Sequence, residues 1–397
     1  MKKTVVFGIT GGIAAYKAAD AARRLRKRGV DVYVIMTRHA CEFITPLTLQ
    51  SLTGREVVTD MFERPQRMDV EHIALAKRAD AFVIAPATAN IIAKMACGIA
   101  DDMLSTTVMA TTAPVLLAPA MNQNMYRNPA TQKNLELLRE RGVKFIGPEE
   151  GMLANGDMGI GRMSEPSEIE EVVLSMLHDV KDFAGKRVLV TAGPTREPID
   201  PVRYVSNRSS GKMGYALARE AQARGAEVTL IAGPNALEKP YGVRFVGVET
   251  TAQMHDAVME VYPDTDIVLK AAAPADYRVH APSEEKIKKK RLDETLDLEL
   301  ETTPDILLAL GENKTHQFLV GFAAETNDAL ENARAKLVAK HLDCMVLNDV
   351  SQRGAGFEVD TNIVTIMDEK GDITLPIMDK REVAGHILDY VAKRLNL

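Results

Sequence analysis

Residues 4–29 read TVVFGITGGIAAYKAADAARRLRKRG. An apolar run stops at a Gly-Gly turn and passes into a stretch whose apolar residues fall three and four apart. That pattern predicts a buried strand, a tight turn and an amphipathic helix. The same order returns further on, where KRVLVTAGPT (186–195) is a second apolar strand and GKMGYALAREAQARG (211–225) a second helix. Each helix leads into another apolar strand, DVYVIMT (31–37) and AEVTLIAGP (226–234). Strands apolar throughout, separated by helices, predict a parallel sheet covered on both faces. The chain begins such a sheet twice.

Further strands follow in each half. AFVIAPA (81–87), APVLLAPAM (113–121) and KFIG (144–147) extend the first sheet. DIVLKAAAPADY (266–277), HQFLVGFAAET (316–326) and CMVLND (344–349) extend the second, and NIVTIMDEKGDITLPIMD (362–379) reads as a hairpin before a last helix. The polar stretch HDVKDFAGK (178–186) separates them, giving domains 1–185 and 186–397. Ligands of such α/β sheets sit beyond the C-terminal strand ends.

The 397 residues are 46% hydrophobic and 26% charged, an ordinary globular composition that supports two sizeable cores. A net charge of −6 gives no reason to expect nucleic acid or an anionic membrane. No apolar run approaches the roughly 20 residues of a membrane span. The start, MKKTVVFGITGG, is broken by Gly8, Gly11 and Gly12 and reads as a first strand rather than a signal peptide. Three scattered cysteines, Cys41, Cys97 and Cys344, make neither a disulfide framework nor a C-x-x-C site, as expected of a cytoplasmic protein. The histidines form no H-E-x-x-H, so no protein-built zinc site is expected.

Neither half carries G-x-G-x-x-G. Gly11-Gly12 is either an anion cradle before a helix or simply a tight turn. SNRSSGKMG (206–214) sets hydroxyls, Gly211 and Lys212 ahead of a helix start; it suits phosphate, or else a capped helix with a solvated lysine. EGMLANGDMGIGRM (150–163), with Gly151, Gly156, Gly159 and Gly161, reads as an irregular, movable loop of the kind that covers a site. Its central Asn155 is almost inert as an acid or base.

Taken together, these motifs resemble a family. GITGGIAAYKA, APATANIIAKMACGIADDMLST, PAMNQNMY, GDMGIGRM, TAGPTREPIDPVRYVSNRSSGKMGYALA, AAAPADYR, EKIKKK and GFAAET match, in order and from end to end, the bifunctional bacterial coenzyme A biosynthesis enzymes, in which phosphopantothenoylcysteine decarboxylase is fused to phosphopantothenate–cysteine ligase. The resemblance implies a flavodoxin-like N-terminal domain of the HFCD flavoprotein type that binds FMN. It implies a Rossmann-like C-terminal ligase that consumes CTP with Mg2+. It also implies a homo-oligomer, with trimers of the flavin domain and dimers of the ligase domain combining into a dodecamer.

For the decarboxylase, the resemblance implies that Gly11, Gly12, Thr37, Thr88 and Ser105 contact FMN. His72, in DVEHIALAKRAD, sits off the helical line through Val70, Ile73 and Lys77; a lone histidine there is usually a surface residue, and the resemblance makes it catalytic. By the same resemblance Asn122 grips the substrate carboxylate and Met125 contacts substrate. At residues 154–157 the family has ACGD where this chain has ANGD. The enethiolate left by CO2 loss needs a proton, which a thiol with a pKa near 8.5 can donate and an amide cannot. Asn155 therefore puts the last, reductive step in doubt, whether it was introduced as a trap or is a natural variant with another donor.

For the ligase, EEKIKKKR (284–291) is a basic run that composition alone reads as a solvated face, while the resemblance makes Lys286 catalytic. Asn207 is implied at the activated acyl group, and Arg203 at the substrate phosphate. Ala271, Ala272, Ala273, Asp276, Pro304, Asp305, Ile306, Phe322, Lys336 and Lys340 are implied around CTP, with Asp276 holding Mg2+. Lys336 and Lys340 are four apart on one helix face and so can converge on one anion. Two other classes remain. A flavin-binding regulator would not need Asn207, Asp276 and Lys286 together, and a dinucleotide-dependent oxidoreductase would need the absent glycine fingerprint.

Overall fold

The structure is a computed structural model that describes residues 2–62, 70–288, 295–325, 329–349, 356 and 359–397. These form two compact units that divide between Asp179 and Val180. The division comes a few residues before the 185/186 expected from composition. Phe183 is fully buried in the core that also holds Val188, Ala221 and Leu388, and Arg224 holds Asp182 (Nε to Oδ1, 2.9 Å) and Asp389 (Nη1 to Oδ1, 2.7 Å). Those contacts bind the connecting stretch to the second unit.

The first unit is a six-stranded parallel sheet ordered Val57–Val58, Asp31–Met36, Thr4–Ile9, Ala81–Ala87, Val115–Pro119, Lys144–Phe145. Without the edge strand Val57–Val58 the order is 2-1-3-4-5, the flavodoxin arrangement. Every residue of Ala81–Ala87 is buried, which is why that strand is apolar without alternation. Helix Ala15–Lys27 buries Ala15, Ala18, Ala19, Ala21, Ala22 and Leu25, so its inner face is mostly methyl groups that let it lie close to the sheet.

The glycine-rich stretch is more ordered than its composition suggests. Glu149–Met152 and Met158–Arg162 pair as an antiparallel hairpin in which Gly151 faces Gly159, and only the tip at 153–157 is irregular. The glycines serve close approach rather than freedom. A Cβ on Gly159 would stand 2.2 Å from Gln123 Oε1, and one on Gly161 2.1 Å from Met121 O. The hairpin thus lies directly against residues 121–123, where Met121 N donates to Gly161 O at 3.0 Å.

The second unit carries eight strands in one sheet. Arg244–Gly247, Glu227–Ala232, Arg187–Ala192, Ile267–Lys270, Phe318–Glu325 and Cys344–Asp349 run parallel in the doubly wound order 3-2-1-4-5-6. The hairpin Val364–Asp368 with Gly371–Thr374 adds two antiparallel strands at the far edge. Alternate residues serve opposite cores: Val188 and Val190 pack with Tyr215, Leu217 and Ile387, while Leu189 packs with Ile231, Val258, Leu310 and Leu337. Of DIVLKAAAPADY only Ile267–Lys270 belongs to this sheet; the backbone then leaves it at its C-terminal edge, and Tyr277 opens a separate short strand, Tyr277–Val279, paired with Leu300–Thr302.

Candidate functional sites

In the first unit a cavity of about 850 Å³ opens at the C-terminal strand ends, within the usual range for small-molecule sites. Thr10 ties the two central strands beside it, donating to Pro86 O at 2.7 Å and accepting from Thr88 N at 3.3 Å. Gly11 must be glycine, because a Cβ there would lie 2.4 Å from His39 Cβ. Gly11, Gly12, Thr88, Asn122, Met125 and Asn155 all line this one cavity. Thr88 stands at the start of helix Ala89–Cys97 without capping it, so free backbone N–H groups are available there for an anion. Asn122 caps the helix Gln123–Arg127, its Oδ1 accepting from Asn124 N at 2.8 Å; the donor it offers a ligand is therefore Nδ2.

Three expected residues lie outside that lining. Thr37 follows strand Asp31–Met36, and its hydroxyl accepts from Ala40 N at 3.3 Å. Ser105 is buried and exchanges hydrogen bonds with Asp102 in a capping box at helix Met103–Ala110. His72 is half-buried at the start of helix Glu71–Arg78. The sequence reading missed Lys17 and Glu165, both in the cavity wall and joined at 2.8 Å. Burial alone would raise the Glu165 carboxyl, but Lys17 and Arg162 outweigh it and hold it below its ordinary range. The signal was available: a lysine among the alanines and the tyrosine of the helix's first turn.

In the second unit a cavity of about 490 Å³ lies at the matching sheet edge. Ala271, Ala272, Ala273, Asp276, Pro304, Asp305, Ile306, Phe322, Lys336 and Lys340 all line it. So do Ser209, Ser210, Gly211 and Lys212, where helix Lys212–Ala223 begins; Gly211 takes φ +77°, and a Cβ on Gly214 would press to 2.5 Å from Ala192 Cβ. Five lysines (212, 270, 336, 340 and 380) face two aspartates, Asp276 and Asp305, across this space. Lys340 pairs with Asp305 at 2.8 Å. Burial would raise the Asp305 carboxyl, but Lys340 and the N–H of Leu308 hold it low. Among the described residues no three His, Cys, Asp or Glu side chains gather as a metal cage. Asp276 suits Mg2+ all the same, since that ion is commonly held by one or two carboxylates together with substrate phosphates. Lys270 and Lys380 were also missed.

Asn207 is exposed beside this cavity and donates from Nδ2 to Pro274 O at 2.8 Å and Ala273 O at 3.3 Å. Arg203 and Lys286 do not line it. The Arg203 guanidinium is turned to Asp200, and Nη2 also donates to Ile287 O at 2.8 Å. Asp200 in turn accepts from Ile287 N at 3.1 Å, and Ser283 N donates to Ile199 O at 2.9 Å. The strap that carries Lys286 is thus fastened by its backbone to the turn at 199–203. The Arg203 guanidinium holds the Asp200 carboxyl well below the usual carboxylate range.

The comparisons with known proteins divide the chain at the same place. Residues 1–178 match the flavoprotein family model, and residues 183–395 match the DNA/pantothenate metabolism flavoprotein C-terminal domain. The chain is 49% identical over 396 residues to the coenzyme A biosynthesis bifunctional protein CoaBC of Bacillus subtilis, covering 98% of this chain and 97% of that one. It is 45% identical to the protein of the same name from Escherichia coli K12, covering 99% and 97%. A crystal structure of the C-terminal domain of a coenzyme A biosynthesis bifunctional protein CoaBC aligns at 44% identity with a TM-score of 0.47, covering 54% of this chain and 98% of that one.

Proposed function

The chain belongs to the family of bifunctional coenzyme A biosynthesis proteins, a phosphopantothenoylcysteine decarboxylase and a phosphopantothenate–cysteine ligase in one polypeptide, and from that premise we propose how its two cavities divide the work. The ligase joins 4′-phosphopantothenate to cysteine through an acyl-cytidylate formed from CTP. The decarboxylase then converts the product toward 4′-phosphopantetheine with FMN, both in the cytoplasm. What carries this reading is that each half has its own ligand-sized cavity at the C-terminal strand edge, lined by residues the family resemblance had named.

The larger cavity suits FMN. Gly11, Gly12 and Thr88 offer backbone donors at a helix start for the phosphate, while Ile13, Tyr16, Met121 and Met125 give apolar surface for a flat ring. Thr37 and Ser105 complete the proposed flavin set, and a contact from Ser105 requires its hydroxyl to leave the Asp102 cap. When bound, FMN supplies reversible oxidation of the substrate thiol, and the resulting thioaldehyde is the electron sink that lets CO2 leave. Asn122 holds the carboxylate through Nδ2. His72 assists thiol oxidation; its position outside the cavity of one chain fits a flavin site at a contact between subunits of a trimer. The hairpin excludes water, but Asn155 offers the enethiolate no acidic proton. The decarboxylation therefore stops after CO2 loss.

In the ligase cavity, Lys336 and Lys340 neutralise the triphosphate, and Asp276 holds Mg2+ against it. Ala271 to Ala273, Pro304, Asp305, Ile306 and Phe322 form the nucleotide walls. Asn207 meets the activated acyl group, and Lys286 reaches the leaving phosphates from its strap. Arg203 acts through that strap instead of on substrate phosphate. Ligase domains pair as dimers, and with the flavin-domain trimers they build the dodecamer. Amide formation from 4′-phosphopantothenate and cysteine, measured with CTP and Mg2+ and again with each omitted, tests the ligase half. Undiminished synthesis without CTP rules the assignment out.

A further inference from the structure

Lys270 is the last residue of the central strand Ile267–Lys270, which pairs with Arg187–Ala192 on one side and Phe318–Glu325 on the other. These are strands 4, 1 and 5 of the sheet, so Lys270 stands at the point where the strand order reverses and ligands of doubly wound sheets bind. It shares its face with Val268, whose core includes Ile306, Leu307, Leu310 and Leu337. Its ammonium reaches the cavity beside Lys340, Lys336, Asp305 and Asp276.

That ammonium is poorly provided for. Its hydrogen bond to Ala272 O is long, at 3.4 Å, and among the described residues it makes no ion pair. Of the two aspartates that favour its charge, Asp305 acts more strongly and is already held by Lys340. Burial, with the charges of Lys340 and Lys336 added, lowers the Lys270 pKa to about 8 despite the two aspartates. A half-buried cation beside like charges works against stability, and an apolar side chain of similar length would suit these surroundings better. Such a group is stabilised when an anion enters.

We propose that Lys270 binds a phosphate of the nucleoside triphosphate, forming with Lys336 and Lys340 a three-lysine anion site. This rests on the ligase reading above. The three ammonium groups come from two separate elements, the strand end and the helix Ala329–Ala339 with the residue after it, so they approach one anion from different directions. Asp276 and the start of helix Lys212–Ala223 close the same cavity.

The test uses the full chain with Lys270→Met and Lys270→Arg. Pyrophosphate release is followed while CTP, 4′-phosphopantothenate and cysteine are varied in turn, and thermal unfolding is recorded without ligand. Lys270→Met is expected to fold with a Tm at or above the parent's. Its KM for CTP should rise at least tenfold while the other two KM values stay within twofold, and Lys270→Arg should return most of the loss. A CTP KM within twofold of the parent's overturns the proposal, as does a loss confined to kcat. A rise in the 4′-phosphopantothenate KM instead also overturns it, by moving the lysine to the other phosphate. If the parent makes no amide from CTP, the ligase reading falls first. The anion site is then judged by calorimetric binding of pyrophosphate, which must still be tenfold weaker in Lys270→Met; equal binding overturns it.

Discussion

Asn155 and Asp157 hold each other across the tip of the hairpin: Asn155 Nδ2 donates to Asp157 Oδ2 at 2.6 Å, and Asn155 Oδ1 accepts from Asp157 N at 3.3 Å. Asn155, which lines the cavity of the first unit, therefore spends its side chain on its own turn. A cysteine at this position would give up both bonds and present a thiol to the cavity. Asn155→Cys is expected to make many equivalents of the saturated thiol 4′-phosphopantetheine where the unmutated chain is expected to stop after one cycle. Product counted per active site checks this; a count near one for the variant counts against the lid as the source of the proton.

His72 carries no structural bond that the fold depends on among those described, and it is half-buried at a helix start. His72→Asn is expected to keep its flavin, measured by absorbance of the purified protein, and to lose CO2 release by about 100-fold or more. Loss of the flavin itself would make this histidine a cofactor-holding residue.

The Lys286 strap gives a paired prediction. Lys286→Gln should lower ligase kcat by about 100-fold, with flavin content unchanged. Arg203→Ala should lower the same rate by a smaller factor, because it loosens the backbone at Ile287 without removing the lysine. The Asp200 carboxyl has a depressed pKa, so its contribution is full above the ordinary carboxylate pKa and is lost only as the pH falls through the lower folded value. Proteolysis at 283–288 should accordingly be slow from neutral pH down to about 4 and quicken only in stronger acid. Equal cleavage rates in parent and Arg203→Ala would discount the fastening.

The three thiols rank by exposure. Cys97 is exposed, Cys41 is half-buried and Cys344 is buried, with burial and the nearby Asp368 and Asp343 pushing its thiol up to about 12. A disulfide reagent at pH 8 should label Cys97 fast and Cys41 slowly, and should reach Cys344 only on unfolding. Mass spectrometry of labelled peptides reads the order directly.

Much of this was legible because strand and helix periods are local. The repeat of strand, glycine turn and helix at residues 4 and 187 marked two doubly wound sheets, and Lys336 and Lys340 were placed together by helical spacing alone. What sequence hid depended on partners distant in the chain. The glycines of 150–163 were read as freedom, whereas Gly159 and Gly161 are required by the close approach of Gln123 and Met121. Arg203 was read as a phosphate ligand, and only the fold brings Ile287 to it from 84 positions away. Lys270 stood unremarked inside DIVLKAAAPADY. Its significance lies in Asp305 being already taken by Lys340.

In the reaction proposed above, the lid of this chain closes over a competent decarboxylation site without an acid. This is tested most directly by incubating the unmutated protein anaerobically with phosphopantothenoylcysteine and weighing what is released. Oxidation of the thiol and loss of CO2 need only the flavin with His72 and Asn122, whereas reduction of the enethiolate needs an acidic proton, which the Asn155 amide cannot give. About one CO2 per site is expected, with an enethiol product about two mass units lighter than 4′-phosphopantetheine, the missing hydride and proton. Many turnovers to the saturated thiol would contradict it and would mean that another acid in the cavity serves the last step.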